Sequence, residues 1–130
     1  MTDTAKQPGR VLVVDDAPTV RMYHSKLLSG AGYEVSEAAN GLEAVECALT
    51  TPFDLFVVDV NMPTMDGYAC VERLRGDTVG TDAPVVIIST EDRTVDSERA
   101  YRVGANLYLV KPLAGDRLRR IAAMLTAAPQ

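Results

Sequence analysis

The sequence has no cluster of Lys or Arg residues, few cysteines and no long apolar run. Its 130 residues include 13 Lys and Arg against 18 Asp and Glu, which gives a formal net charge of −5. Without a basic cluster, direct binding to DNA or RNA is not expected, because nucleic-acid phosphates require one. The acidic balance favours a basic partner or a bound cation.

The absence of long hydrophobic segments further narrows the class of protein to which this chain can belong. No apolar stretch approaches the ~20 residues that a membrane-spanning helix needs. Residues 1–9 are polar and lack the apolar core of a signal peptide, so they are predicted to form a flexible tail. The two cysteines, Cys47 and Cys70, lie in helix-like patterns without a CxxC spacing and are predicted to be free thiols in a reducing compartment. We therefore expect a cytoplasmic protein that does not associate with membranes.

The sequence does contain a regular alternation of short apolar runs with amphipathic segments. Most of the runs are nearly continuous and end at turn residues, which is typical of strands in a buried parallel sheet. The strands are predicted at residues 11–14, 33–38, 55–58, 85–88 and 107–110. Helical spacing after each strand predicts an α/β domain over residues 10–128, with right-handed crossovers and helices on both faces of the sheet. No internal repeat and no long linker divides it.

Four of the predicted strands end in residues that can do chemistry. These are Asp15 and Asp16 after the first strand, Asp59 after the third, Ser89 and Thr90 after the fourth, and Lys111 after the fifth. In a parallel sheet such ends lie on one edge, where open α/β sheets bind their ligands. Three close carboxylates repel one another unless a cation lies among them, and hard oxygen ligands suit Mg²⁺.

This combination of groups predicts phosphoryl chemistry. A carboxylate beside Mg²⁺ can act as a nucleophile toward phosphorus and form an aspartyl phosphate. The metal and Lys111 would neutralise the charge on the phosphoryl oxygens. Asp59, at the end of the central predicted strand, is the candidate nucleophile.

Four stretches resemble the receiver domain of two-component response regulators, and in particular its single-domain CheY type. They are VVDD at 13–16, VDVNMPTMDG at 58–67, PVVIIS at 84–89 and GANLYLVKP at 104–112. They occur in the order and at the spacing of that family, and the resemblance covers about residues 10–127. It implies a flavodoxin-like (βα)5 three-layer sandwich with a parallel sheet of strand order 2-1-3-4-5, the order known for CheY itself.

The resemblance assigns roles to the residues of the metal site. It makes Asp59 the phosphoacceptor and also a ligand of Mg²⁺. Asp16 corresponds to a direct ligand, and Asp15 acts mainly through water. The backbone carbonyl of Asn61 is implied as a third protein ligand.

Further roles concern the switch and the lifetime of the phosphoryl group. Ser89 matches the switch hydroxyl, with Thr90 as the competing candidate, and Tyr108 matches the aromatic side chain whose rotation reports phosphorylation. Lys111 matches the family lysine, and its bond to Pro112 is expected to be cis. Asn61 and Glu91 occupy two positions that tune hydrolysis, and the same pair occurs in chemotaxis regulators.

The implied function is a phosphorylation-activated switch that catalyses only its own phosphoryl transfer and dephosphorylation. A sensor histidine kinase would donate the phosphoryl group to Asp59, and the modified domain would change its affinity for a downstream protein through the face formed by residues 92–127. A phosphatase is a further expected partner. The Asn61 and Glu91 pair and the lack of an output domain favour chemotaxis or motility control.

Four alternatives remain open at this point. The chain could be a phosphorelay intermediate or a degenerate receiver that acts as a protein-interaction module. A metal-dependent phosphatase with an Asp nucleophile typically has a second Asp two residues later, where this chain has Asn61. A flavodoxin-like cofactor binder needs a phosphate loop rich in Ser, Thr and Gly, which does not follow Val14.

The polar helix at 92–103 is predicted to pack weakly and to shift on phosphorylation.

Overall fold

The computed structural model describes residues 9–126, which form five strands alternating with five helices. In chain order they are β1 (Arg10–Val14), α1 (Pro18–Gly30), β2 (Glu34–Ala38), α2 (Gly41–Thr50), β3 (Leu55–Asp59), α3 (Gly67–Arg75), β4 (Val85–Ser89), α4 (Thr94–Val103), β5 (Leu107–Val110) and α5 (Gly115–Thr126). The predicted alternation is confirmed. The flexible tail predicted for residues 1–9, apart from Gly9, and the domain end predicted at 128 lie outside the described residues.

The five strands form one parallel sheet of order β2-β1-β3-β4-β5, which confirms the expected order. Strands β3 and β4 are buried at every position, as their continuous apolar runs predict. Strand β2 alternates in sequence and lies at an edge of the sheet. Strand β2 lies on one side of β1, and β3 lies on the other. A crevice therefore opens at the carboxyl ends of β1 and β3.

Two hydrophobic cores lie on the two faces of the sheet, because successive side chains of a strand point to opposite faces. Leu12 and Ile87 belong to the core shared with α2, α3 and α4. Val13 and Ile88 belong to the core shared with α1 and α5. The domain is therefore the predicted three-layer sandwich.

The helix N-termini differ in how firmly they are capped. Asn40 accepts a hydrogen bond from the Glu43 backbone N–H at the start of α2 (2.8 Å), and Asp66 accepts one from Ala69 at the start of α3 (2.9 Å). Such caps stabilise a helix by roughly 1 kcal/mol each. At the start of α4, Arg93 provides no side-chain cap. Within the described residues, no helix is both long and apolar enough to cross a bilayer.

Candidate functional site

Three carboxylates meet at the carboxyl edge of the sheet. Asp15 and Asp16 follow β1 directly, and Asp59 is the last residue of β3. Asp15 is 2% exposed and Asp59 4% exposed, whereas Asp16 is open to solvent. One carboxylate oxygen from each of the three lies within 4.8 Å of the others. The convergence predicted from the strand ends is therefore present in the fold.

Lys111 brings a positive charge to this cluster from the end of β5. Its Nζ donates a hydrogen bond to Asp59 Oδ1 at 2.7 Å and lies 3.6 Å from Asp15 Oδ2. The Lys111–Pro112 peptide bond is cis, as the resemblance implied. The ammonium group is thus the counterion of the two buried carboxylates.

The charges in the cluster do not balance. Burial raises the pKa of the Asp59 carboxyl; the hydrogen bond from Lys111 opposes that rise, and the charge of Asp15 adds to it. Burial alone would lower the pKa of Lys111, but the hydrogen bond and charge of Asp59 outweigh it, so this pKa is raised. Three carboxylates around one ammonium leave excess negative charge. Their oxygen donors suit a hard divalent cation such as Mg²⁺.

Asp15 is held by contacts from the start of α1. Its Oδ1 accepts a hydrogen bond from the Ala17 backbone N–H (2.9 Å). Arg21 donates to the Asp15 backbone carbonyl (2.7 Å) and pairs with Glu37 at the end of β2 (2.8 Å). Sequence reasoning missed Arg21, because a lone arginine on a helix carries no signal for a contact with a loop carbonyl.

The loop after β3 approaches the site through Gly67. The Gly67 backbone N–H donates to the Val60 carbonyl (2.9 Å), and a Cβ atom added to Gly67 would lie 2.5 Å from the Asp59 carbonyl oxygen. The backbone of the phosphoacceptor candidate therefore leaves no room for a side chain here. Asn61, the predicted carbonyl ligand, lies in this loop and is exposed.

Gly67→Ala is expected to destabilise the fold by about 2–3 kcal/mol, because overpacking against backbone cannot be relieved by a rotamer change. The measurement is urea unfolding at neutral pH. Gly30→Ala is the matched control, since a Cβ at the end of α1 would have no atom within 4 Å apart from its chain neighbours and its own helix backbone. Equal midpoints for the two variants would contradict the close approach at Gly67.

The two hydroxyl candidates after β4 differ in their surroundings. Ser89 is fully buried, and its Oγ accepts a hydrogen bond from the Glu91 backbone N–H (3.0 Å). Its carbonyl accepts from the Lys111 backbone N–H (2.7 Å), which places it beside the lysine. Thr90 is exposed. These contacts favour Ser89, and its role as the switch hydroxyl stays a prediction.

Tyr108 and Glu91 are joined by a hydrogen bond. The half-buried Tyr108 in β5 donates its hydroxyl to the Glu91 backbone carbonyl (2.6 Å). Because Glu91 also donates to Ser89, the three predicted functional residues form one connected group. The Glu91 side chain itself is exposed.

His24 lines a groove beside Lys111, whereas the two cysteines belong to the core shared with α2, α3 and α4. His24, predicted to be a partly buried packing residue, is 5% exposed, and burial lowers its pKa. Cys47 and Cys70 are both free, as predicted. Burial raises the pKa of the Cys70 thiol to about 12, so this thiol is unreactive at neutral pH.

Comparison with known proteins identifies relatives over nearly the whole domain. The family model described as "Response regulator receiver domain" matches residues 11–123. Transcriptional regulatory protein PrrA of Mycobacterium leprae is 38% identical over 124 residues, which cover 95% of this chain and 52% of PrrA. The chain therefore spans about half the length of this relative.

Two solved structures share the fold. Chemotaxis protein CheY4 of Vibrio cholerae is 34% identical with a TM-score of 0.86, and the match covers 92% of this chain and 99% of that one. The receiver domain of sensor histidine kinase PA1611 of Pseudomonas aeruginosa is 27% identical with a TM-score of 0.84, covering 94% and 100% of the two chains. That structure has a magnesium ion coordinated in its active-site cleft.

Proposed function

The chain belongs to the response regulator receiver domain family of two-component systems, and from this premise we propose that phosphorylation of Asp59 switches it between two states. Receiver domains are signalling switches and not enzymes in the usual sense. The observation that carries the proposal is the buried Asp59 carboxylate, hydrogen-bonded to Lys111 at 2.7 Å and flanked by two further carboxylates.

The proposed donor is a phosphohistidine of a sensor histidine kinase. A carboxylate oxygen of Asp59 attacks the phosphorus, a P–O bond forms, the P–N bond breaks, and the histidine nitrogen keeps the electron pair and takes a proton. Lys111 moves from the carboxylate to a phosphoryl oxygen and offsets the added charge. Water later attacks the phosphorus, which releases inorganic phosphate and restores the carboxylate.

Mg²⁺ is the proposed cofactor. Asp16, Asp59 and the Asn61 carbonyl would hold it, with Asp15 acting through water. The metal would supply charge neutralisation for the transferred group. The excess negative charge of the cluster and its oxygen donors support this assignment, as does the magnesium ion in the cleft of the PA1611 receiver domain.

Ser89 is proposed to bond the phosphoryl group, with Thr90 as the less favoured candidate. Asn61 and Glu91 are exposed and follow the last residues of β3 and β4 by two positions each, at the same edge of the sheet as Asp59. We propose that they set the rate of hydrolysis. The similarity to CheY4, a chemotaxis protein, supports a role in chemotaxis or motility.

A groove of about 450 Å³ between α1 and the loop after β5 is the proposed place where the donor protein docks. It is lined by apolar and aromatic side chains, including Val20, Tyr23 and Leu113, and it reaches Lys111. A donor seated there would lie beside the lysine that contacts Asp59. Complementary packing at that position would bring a phosphohistidine to the site.

The downstream partner is proposed to bind the face predicted at residues 92–127. Residues 92–130 contain seven Lys and Arg against four Asp and Glu, whereas residues 1–91 contain six against fourteen. This uneven distribution revises the expectation of a basic partner that the net charge favoured. On this face, an acidic partner segment fits better.

Helix α4 is expected to exchange its amide hydrogens faster than α3, because only Ala100 of its ten residues is buried, whereas five residues of α3 are. Phosphorylation is expected to change this exchange. Hydrogen exchange of residues 94–103, with and without a phosphodonor, is the measurement. Protection equal to that of α3 and no response to phosphorylation would contradict the predicted weak packing.

The direct test of the proposed function uses the unmodified chain. Incubation with Mg²⁺ and acetyl phosphate is expected to add one phosphoryl group that is stable in acid and labile in alkali. The adduct is measured by intact mass, and removal of Mg²⁺ with a chelator is expected to slow its formation strongly. No adduct on the unmodified chain would indicate a degenerate receiver.

A further inference from the structure

Tyr68, in α3, is one of the side chains that tie helix α4 to the rest of the domain. Its residue is 4% exposed, and its hydroxyl donates a hydrogen bond to the Asp96 carbonyl in the first turn of α4 (3.2 Å). The guanidinium carbon of Arg99, one turn further along α4, lies 4.3 Å from the centre of the Tyr68 ring, a cation–π contact. One side chain of α3 thus holds two successive turns of α4.

These contacts are important because α4 has few others. Its N-terminus has no side-chain cap, and Ala100 is its only buried residue. Val95 and Tyr101, its larger hydrophobic side chains, are 60% and 48% exposed. A helix with so little buried surface depends on polar contacts for its position. These include the contacts of Tyr68 and a hydrogen bond from the Tyr108 backbone N–H to the Tyr101 hydroxyl (3.3 Å).

Tyr68 also adjoins the residues predicted to respond to phosphorylation. Tyr108 packs against the core cluster to which Tyr68 belongs, and burial, followed by the neighbouring Tyr108, raises the pKa of Tyr68 to about 12. Tyr108 donates to the Glu91 carbonyl, and Glu91 donates to Ser89 Oγ. Hydrogen bonds therefore run from the buried hydroxyl at the end of β4 to Tyr108, which packs against the same core as Tyr68.

We propose that Tyr68 is the positioning residue that couples Tyr108 to helix α4, and that its hydroxyl holds α4 in the position of the unphosphorylated state. This inference rests on the proposed function and deepens it, because it names the residue through which a change at Ser89 and Tyr108 reaches the output helix. When Tyr108 moves on phosphorylation, the Tyr68–Asp96 bond breaks and α4 is released.

Tyr68→Phe tests the proposal, because it removes one oxygen and keeps the buried ring. The probe is beryllofluoride with Mg²⁺, a mimic of the phosphoryl group. In the unmodified chain, the probe is expected to accelerate exchange in residues 94–103. In Tyr68→Phe, one hydrogen bond is lost, so exchange in residues 94–103 is expected to be about three- to tenfold faster before the probe is added. Addition of the probe is then expected to change this exchange less than twofold.

A second readout separates coupling from packing. Coupling between two sites is reciprocal, so a variant released from the restraint should bind beryllofluoride more tightly by about the same three- to tenfold factor. A residue that only packs would leave this affinity unchanged. Tyr33→Phe is the matched control, because it also removes a hydrogen-bonded phenol oxygen. In the parent, that oxygen is bonded to Thr126 Oγ1 (2.8 Å). The control is expected to behave like the parent in both measurements.

Arg99→Gln provides an independent variant on the exposed side of the contact. It removes the cation without disturbing the core, and it is expected to shift both readouts in the same direction as Tyr68→Phe but by less. If the parent binds the probe and responds to it, while Tyr68→Phe responds identically and binds with unchanged affinity, the coupling role of Tyr68 is wrong. Failure of the parent to bind beryllofluoride would instead overturn the proposed function.

Discussion

Asp59→Asn is expected to abolish the phosphoryl adduct that the unmodified chain forms with Mg²⁺ and acetyl phosphate. The amide is nearly isosteric with the carboxylate but has no anionic oxygen to attack phosphorus. It also removes one of the three carboxylates that offer oxygen atoms within 4.8 Å of one another. We expect less than one hundredth of the parental yield, measured by intact mass after an acid quench.

Asp54→Asn is the matched control on the same strand segment. Asp54 is exposed and lies just before β3, where its Oδ2 accepts a hydrogen bond from the Arg10 backbone N–H (2.8 Å). That contact is at the opposite end of β3 from Asp59, so phosphorylation should be unaffected. An adduct on Asp59→Asn at the parental level, or loss of the adduct in Asp54→Asn, would show that another residue accepts the group.

The same variant should be more stable than its parent at neutral pH. Burial raises the pKa of Asp59, so this carboxyl favours folding only below its unfolded pKa and loses that contribution as pH rises through its folded pKa. Asparagine has no carboxyl group to deprotonate, so Asp59→Asn avoids this loss of folding free energy. The difference in thermal midpoint is therefore expected at pH 7.5 and should vanish near pH 4.

Much of the fold could be predicted from local pattern. The continuous apolar run that ends at Asp59 is typical of a strand buried on both faces, and β3 is buried throughout. The convergence of Asp15, Asp59 and Lys111 then follows from parallel pairing, because all their strands end on one edge. Strand order does not follow from pattern: five alternating units permit several orders, and the choice of 2-1-3-4-5 depended on the family resemblance.

The contacts that connect the site to the helices could not be predicted in this way. Tyr68 and Asp96 are 28 residues apart, and neither position in its helix indicates that the other is its partner. Arg21 reaches the Asp15 carbonyl through a side-chain conformation that sequence periodicity does not encode. The spacing of apolar residues indicates which face of a helix or strand is buried. Contacts such as these depend instead on how two packed helices or strands are oriented.

Lys111→Met is the second substitution with a large expected effect, and it acts first on stability. Methionine retains most of the apolar stem but leaves the buried Asp59 and Asp15 carboxylates without their counterion. Removing one member of a buried pair costs roughly 3–5 kcal/mol, and the partial exposure of Lys111 (21%) lowers our expectation to about 2–4 kcal/mol at pH 7.5. Urea unfolding is the measurement. Lys26→Met, an exposed site on α1, should change the unfolding free energy by less than about 0.5 kcal/mol.

The pH dependence of the unfolding free energy identifies the cause of the stability lost in Lys111→Met. Without Lys111, no ammonium opposes the burial and the Asp15 charge that raise the pKa of Asp59, so that pKa rises further. The carboxyl then favours folding only below its unfolded pKa, and the deficit of Lys111→Met should shrink between pH 7.5 and pH 5. Added Mg²⁺ should restore part of the stability at pH 7.5 by supplying the missing charge.

A deficit that is equal at both pH values and unaffected by Mg²⁺ would instead assign it to lost packing of the lysine stem. The electrostatic result has a consequence for phosphorylation. If the ammonium stabilises the unmodified site through Asp59, it is already within reach of a group added to that carboxylate. Lys111→Met should therefore also slow adduct formation with acetyl phosphate, even at a pH where the variant is fully folded.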